Sequence, residues 1–153
     1  MRKLFIILAL WAMMAPQAAA QKGLHVAKVF DGRYAKLPHA VATYVTGDAV
    51  EKYDIDLYRS LSATCDTKTA AEIENLVLKD GLTATDKETV YRGGRLRYGS
   101  FTLPRKSSSN RYLFYVNKDA NSGGSEERIV VVYMTGDASP ERIKRLINTE
   151  KSK

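Results

Sequence analysis

From Tyr53 to Cys65 the chain alternates. Tyr53, Ile55, Leu57, Leu61, Ala63 and Cys65 share one parity, with Asp54, Asp56, Ser60, Ser62 and Thr64 between them. Period two sends one set of side chains into a core and the other toward water, so this stretch predicts a long half-buried strand. Arg59 interrupts the apolar row and Tyr58 the polar one. Either a bulge shifts the register there, or the strand runs to an edge where Arg59 reaches water.

The flanking sequence predicts the other elements. Leu24 to Tyr34 fits a short helix or an irregular lead-in, closed by Pro38, and Val41 to Thr46 reads as a strand ending at Gly47-Asp48. Asp66 is a good N-cap for a helix whose stripe is Ala70, Ile73, Leu76 and Val77, and Thr69 with Glu72 has capping-box spacing. Gly81 is read as a left-handed cap that stops this helix. Gly93-Gly94 between two strand-like runs predicts a two-residue hairpin, because both central positions need positive φ. That register sets Tyr91 against Leu96 and Thr89 against Tyr98 on one face. Arg92 against Arg95, and Val90 against Arg97, share the other. The apolar parity then flips to Phe101 and Leu103, which predicts a bulge at Gly99-Ser100, and Pro104 opens a polar loop from Arg105 to Asn110. Tyr112 to Val116 and Ile129 to Met134 are apolar at both parities, as central strands are, and the loop Lys118 to Glu127 joins them. Ser139-Pro140-Glu141 opens a last helix with the stripe Ile143, Leu146 and Ile147.

The order is β-β-α-β-β-β-β-α: an α+β fold with an antiparallel sheet of five to six strands and two helices on one face. Tyr44-Val45-Thr46-Gly47-Asp48-Ala49 nearly repeats as Tyr133-Met134-Thr135-Gly136-Asp137-Ala138. A strand is expected after the first copy and a helix after the second, so shared turn chemistry explains the echo better than duplication.

The beginning of the chain has another character. Arg2 and Lys3 precede an apolar run from Leu4 to Ala15, and Ala18-Ala19-Ala20 stand before Gln21. This is the layout of a secretory leader over residues 1–20, with cleavage before Gln21. A single domain is expected over 21–150, with a frayed tail at 151–153. The leader is too short to span a bilayer, and no transmembrane segment is expected elsewhere. At 44% apolar and 27% charged residues, with four prolines, the chain is neither disordered nor collagen-like. Cys65 is the only cysteine, so no internal disulfide supports the fold. The exported location, periplasmic or extracellular, therefore points to a bacterial source.

Material for catalysis is sparse. His25 and His39 lack zinc-site spacing, so no metal or cofactor is expected. Cys65 stands where the helix begins, which would activate a thiol, yet its parity directs it into the core beside Asp66. Ser107-Ser108-Ser109 has no nucleophile elbow. Asp48, Glu51, Asp54 and Asp56 lack the glycine-bearing loop of a calcium site and read as a solvated face.

Charge is segregated. Asp48 to Glu88 holds ten acids and five bases, whereas Thr89 to Lys118 holds seven bases and no acid. Arg92, Arg95, Arg97, Arg105, Lys106 and Arg111, with the aromatic neighbours Tyr91, Tyr98 and Tyr112, are the candidate anion site. Arginine grips phosphate and carboxylate bidentately, and tyrosines stack on sugars or rings. The alternative is neutralisation of this segment by the acidic strand and helix of the same chain. One Arg-Gly-Gly-Arg tetrad in a folded hairpin does not make a nucleic-acid site.

Four tracts carry a resemblance: Gly23-Leu24-His25-Val26, Leu57-Tyr58-Arg59-Ser60-Leu61, Tyr91-Arg92-Gly93-Gly94-Arg95-Leu96 and Tyr112-Leu113-Phe114-Tyr115. The chain resembles a family of small exported proteins of Bacteroides-type gut bacteria, a domain of unknown function. The resemblance implies a Gram-negative periplasmic or surface location and assigns no site residue. The function expected is that of a non-catalytic envelope protein, with an anionic glycan, lipopolysaccharide or an acidic protein surface as partner. A small hydrolase-like periplasmic enzyme, or an interaction domain that pairs through a sheet edge, are the alternatives. Oligomeric state is left open.

Overall fold

The alternating stretch is the strand β2, Ile55–Asp66. It lies in a computed structural model that describes residues 23–151, without the side chains of 149–151. The leader read over 1–20, the start at Gln21 and residues 152–153 fall outside those described. Around β2 stand a 3₁₀ turn at His25–Lys28, β1 (Val41–Thr46), α1 (Asp48–Glu51), α2 (Thr67–Gly81) and β3 (Asp86–Arg92). β4 (Arg95–Lys106), β5 (Ser109–Asn117), β6 (Glu126–Gly136) and α3 (Pro140–Lys151) complete the fold. The α+β class holds; among the described residues there are six strands and three α-helices, because a single turn, α1, follows Gly47.

The sheet order is β1-β2-β6-β5-β4-β3, with every neighbouring pair antiparallel. β3 to β6 form the expected meander, and α2 carries the chain from β2 to the far edge at β3. β5 and β6, apolar at both parities, lie in the middle. One face packs Leu61, Cys65, Leu96, Phe101, Leu113, Ile129 and Tyr133 against Ala70, Ile73 and Val77 of α2 and against Val26, Val29 and Tyr34. The other packs Tyr112, Phe114 and Met134 against Ile143 of α3, with Leu146 and Ile147 beside it. The helices thus cover opposite faces, not one. A central strand apolar on both sides requires a cover on each.

Local chemistry places the ends. Asp66 caps α2 by accepting from the Thr69 amide at 2.7 Å, which lowers its carboxyl pKa. Gly81 does not take the left-handed cap; it ends the helix in ordinary geometry, and a Cβ there would meet the Phe101 ring at 2.6 Å. Ser139 caps α3 through the Arg142 amide at 3.3 Å. The polar loop expected over Arg105 to Asn110 is instead a two-residue hairpin on Ser107 and Ser108, both at positive φ. Lys106 faces Ser109 across it.

Two further expectations give way: Arg59 at a bulge or edge, and a strand directly after the first Thr-Gly-Asp-Ala copy. The register of β2 shifts between Ile55 and Leu57, and β1 covers its outer side, so Arg59 lies neither at a bulge nor at an edge. Its guanidinium sits 5.2 Å from the ring centres of both Phe30 and Tyr44 and donates to the Phe30 carbonyl at 2.9 Å. Burial there lowers its pKa. The two copies of the Thr-Gly-Asp-Ala echo flank β2 in one register. Tyr44 and Tyr133 both face Arg59, and Thr46 and Thr135 both face Leu57. Each copy leads from a strand toward a helix, α1 after the first and α3 after the second.

Candidate functional site

At the basic hairpin, Gly93 and Gly94 hold φ of +55° and +79°, the left-handed pair that a two-residue turn needs. Arg92 faces Arg95 and Tyr91 faces Leu96, as the sequence predicts. The register then slips: Val90 faces Tyr98 and Thr89 faces Gly99. Arg97 is the extra residue, so the bulge lies there and not at Gly99-Ser100. Gly99 has a different task, since a Cβ on it would meet the Phe101 ring at 2.7 Å.

The basic segment does not gather into one patch; the fold distributes it. Arg95 turns inward. Its Nε lies 3.3 Å from Glu74 of α2, and its Nη2 lies 3.3 Å from Glu127 of β6. Glu74 also accepts from the Leu96 amide at 2.7 Å, and Glu127 accepts from Asn117 Nδ2 at 3.1 Å. Both carboxylates are buried, so the expected intramolecular neutralisation describes Arg95. Its side chain reaches the helix on the Leu96 face, not the opposite face.

Arg105 and Lys106 stand at the other end of β4, and Arg111 lies beside it on β5, facing Leu103. Arg105 donates to the Ser108 carbonyl, and Arg111 to the Pro104 carbonyl at 2.7 Å. Eleven strand steps of ~3.3 Å place Lys106 about 35 Å from Arg95 along β4, too far to share a ligand of ordinary size. Tyr112 is no stacking platform: it is buried, and its hydroxyl donates to the Ala138 carbonyl at 2.6 Å. Burial raises its pKa. Tyr91 and Arg92 are exposed near the hairpin tip.

Arg97 and Tyr98 remain together, at the bulge, where they line a groove of about 670 Å³ between β3, β4, β5 and α3. Its apolar surface comes from Val90, Phe114, Val116 and Ile147, and its cations are Arg97, Lys118 and Lys144. Among the described residues, Glu88 is the one acid on the wall, and Lys144 approaches Asp86 at 3.9 Å, an exposed pair of little strength.

The backbone under these cations is well held. Lys118 lies between Asn117, buried in the Glu127 network, and Asp119, which is clamped by Arg128 at 3.0 and 3.1 Å. That clamp lowers the Asp119 pKa and raises that of Arg128. Lys144 rides on α3, which Arg142 ties to Asp54 and to the Lys52 carbonyl. The seven-base count of the sequence included Lys118 but gave it no place in a site, and Lys144 lies outside that segment. Chain distance hid both.

Three further candidates, Cys65, His25 and Asp56, have partners within the fold. Cys65 is buried, and desolvation, then Glu127 and Asp66, push its thiol up to about 11. His25 meets Asp80 at 2.9 Å across 55 positions. Asp80 also accepts from the amides of His25 and Val26, both at 2.8 Å, so it pins the 3₁₀ turn onto α2. Asp56 meets the Ser109 hydroxyl at 3.4 Å. Among the described residues, no group of three or more His, Cys, Asp or Glu is placed to hold a metal, and no helix is long and apolar enough to cross a membrane.

A family model described as a family of unknown function, DUF6108, matches residues 13–147. No curated protein and no solved structure matches the chain.

Proposed function

The chain belongs to DUF6108, a family of unknown function, and from that premise we propose that it is an exported, non-catalytic envelope protein whose α3-face groove binds an anionic amphiphile. The observation that carries this reading is the pairing of an apolar floor, Phe114, Val116 and Ile147, with the cations Arg97, Lys118 and Lys144 in one groove. An acidic glycan offers charge alone, and an acidic protein surface is too flat to enter a groove. A lipid that carries phosphate and acyl chains, as the membrane end of lipopolysaccharide does, offers charge to the rim and hydrocarbon to the floor. Arg97 grips phosphate through two parallel N–H bonds, and the two lysines act as point charges beside it. Tyr98 closes the β4 side with a ring that tolerates both environments.

Cosedimentation with phosphatidylglycerol vesicles, with phosphatidylcholine vesicles as the neutral control, tests the proposal. Binding to the anionic vesicles is expected at low salt, and it should weaken as the Debye length shrinks toward about 8 Å at physiological ionic strength. Each cation near an anionic surface contributes about 1 kcal/mol. The combined Arg97→Gln, Lys118→Gln and Lys144→Gln variant should therefore bind about a hundredfold more weakly. Equal binding to both lipids, or undiminished binding by the triple variant, would defeat the proposal.

A further inference from the structure

The two edges of the sheet are built differently. β3 exposes all seven of its residues, and four of them, Asp86, Lys87, Glu88 and Arg92, are charged. Charges on an edge strand oppose its pairing with another chain, because each must lose water when a second strand arrives. β1, at the other edge, is Val41-Ala42-Thr43-Tyr44-Val45-Thr46: no charge, no proline, no glycine. Its register against β2 runs from Val41 to Thr46 without a bulge. Among the described residues, no backbone group of 41–46 hydrogen-bonds outside the sheet. Val41 is 60% exposed and Tyr44 40%. Among the described residues, the devices that blunt an edge are present at β3 and missing from β1.

From this contrast we infer that β1 is a dimerisation edge, whose occupant is β1 of a second copy of this chain. An isologous contact places one patch against itself about a two-fold axis. For two antiparallel edge strands the axis stands perpendicular to the sheet, so each residue meets one of its own parity. With the axis at Thr43, Val41 meets Val45 of the second copy, Ala42 meets Tyr44, and Thr43 meets Thr43. Every one of these pairs is favourable: branched on branched, small beside large, hydroxyl to hydroxyl. No like charges meet, and the exposed Val41 gains a cover. The result is one continuous sheet across two chains. An edge contact of this size is smaller than the ~1,600 Å² of a standard interface, so micromolar self-association is expected.

Sedimentation velocity on the full chain, from micromolar to millimolar concentration, tests the assignment beside three variants. Wild type should pass from monomer to dimer across that range. Thr43→Lys brings two ammonium groups together on the axis and should stay monomeric with an unchanged melting temperature. Thr43→Cys should give a covalent dimer on mild oxidation, because Cα atoms about 4.5–5.5 Å apart across a strand pair suit a disulfide. Val41→Cys, whose counterpart is Val45, should crosslink poorly, and native Cys65 is buried and does not compete. A wild-type chain that stays monomeric, even one that captures a foreign strand, overturns the assignment. So does a dimer that survives Thr43→Lys. Should that variant fail to fold, the cysteine pair decides: Val41→Cys crosslinking as fast as Thr43→Cys contradicts the register.

Discussion

Phe101 lies between two glycines. A Cβ on Gly81 would meet its Cε1 at 2.6 Å, and one on Gly99 would meet its Cε2 at 2.7 Å. The ring cannot retreat from one without pressing on the other. Alanine at an open helix position gains about 1 kcal/mol over glycine; here the sign should reverse. Gly81→Ala is expected to lower stability by about 1–3 kcal/mol in urea unfolding, the usual cost of overpacking a core. A gain would show that the ring has room to move. The sequence misplaced the reason for this glycine because a left-handed cap and a close approach demand the same residue. Parity served better at Cys65, whose burial was legible from Leu61 and Ala63 alone. With its thiol pushed up to about 11, the native protein should label slowly near neutral pH. The rate should climb as pH rises toward that value, since only the thiolate attacks. Fast labelling at neutral pH would contradict the burial.

Strand and helix periods were readable wherever one face is wet. β2, α2 and the stripe of α3 emerged from alternation and spacing, and the Gly93-Gly94 turn from the only residue that accepts both positions freely. The Ser107-Ser108 turn did not, because serine rarely takes positive φ and pays locally for doing so. The side of the sheet taken by each helix was also missed, although β5 and β6, apolar at both parities, already required two covers. What no period conveys is which charges meet. Glu127 read as loop, yet it is a buried member of β6 facing Arg95. Two arginines that look equivalent in Arg-Gly-Gly-Arg should therefore respond differently to substitution. Arg95→Gln leaves Glu74 and Glu127 buried without their cation and should cost about 3 kcal/mol. Arg92→Gln removes an exposed charge at an edge and should change stability by less than about 0.5 kcal/mol. Equal effects in thermal or urea unfolding would refute the division.

Across the whole molecule, the basic segment separates into an internal brace at Arg95, a distant hairpin at Arg105, Lys106 and Arg111, and the groove residue Arg97. Charge segregation along the chain indicated where positive side chains would be dense. It gave no means of seeing that a bulge would set Arg97 beside Lys118 and Lys144, which arrive from the turn after β5 and from α3. On the proposed function, this groove, and not the hairpin as a unit, receives an anionic amphiphile. Amide chemical-shift mapping during titration with dodecyl phosphate at low salt distinguishes the two locations. Shifts centred on Val90, Arg97, Tyr98, Val116, Lys118 and Ile147 are expected, and they should shrink as salt is added. Shifts centred on Arg92 or on Arg105 to Arg111, or none at low salt, would contradict that proposal.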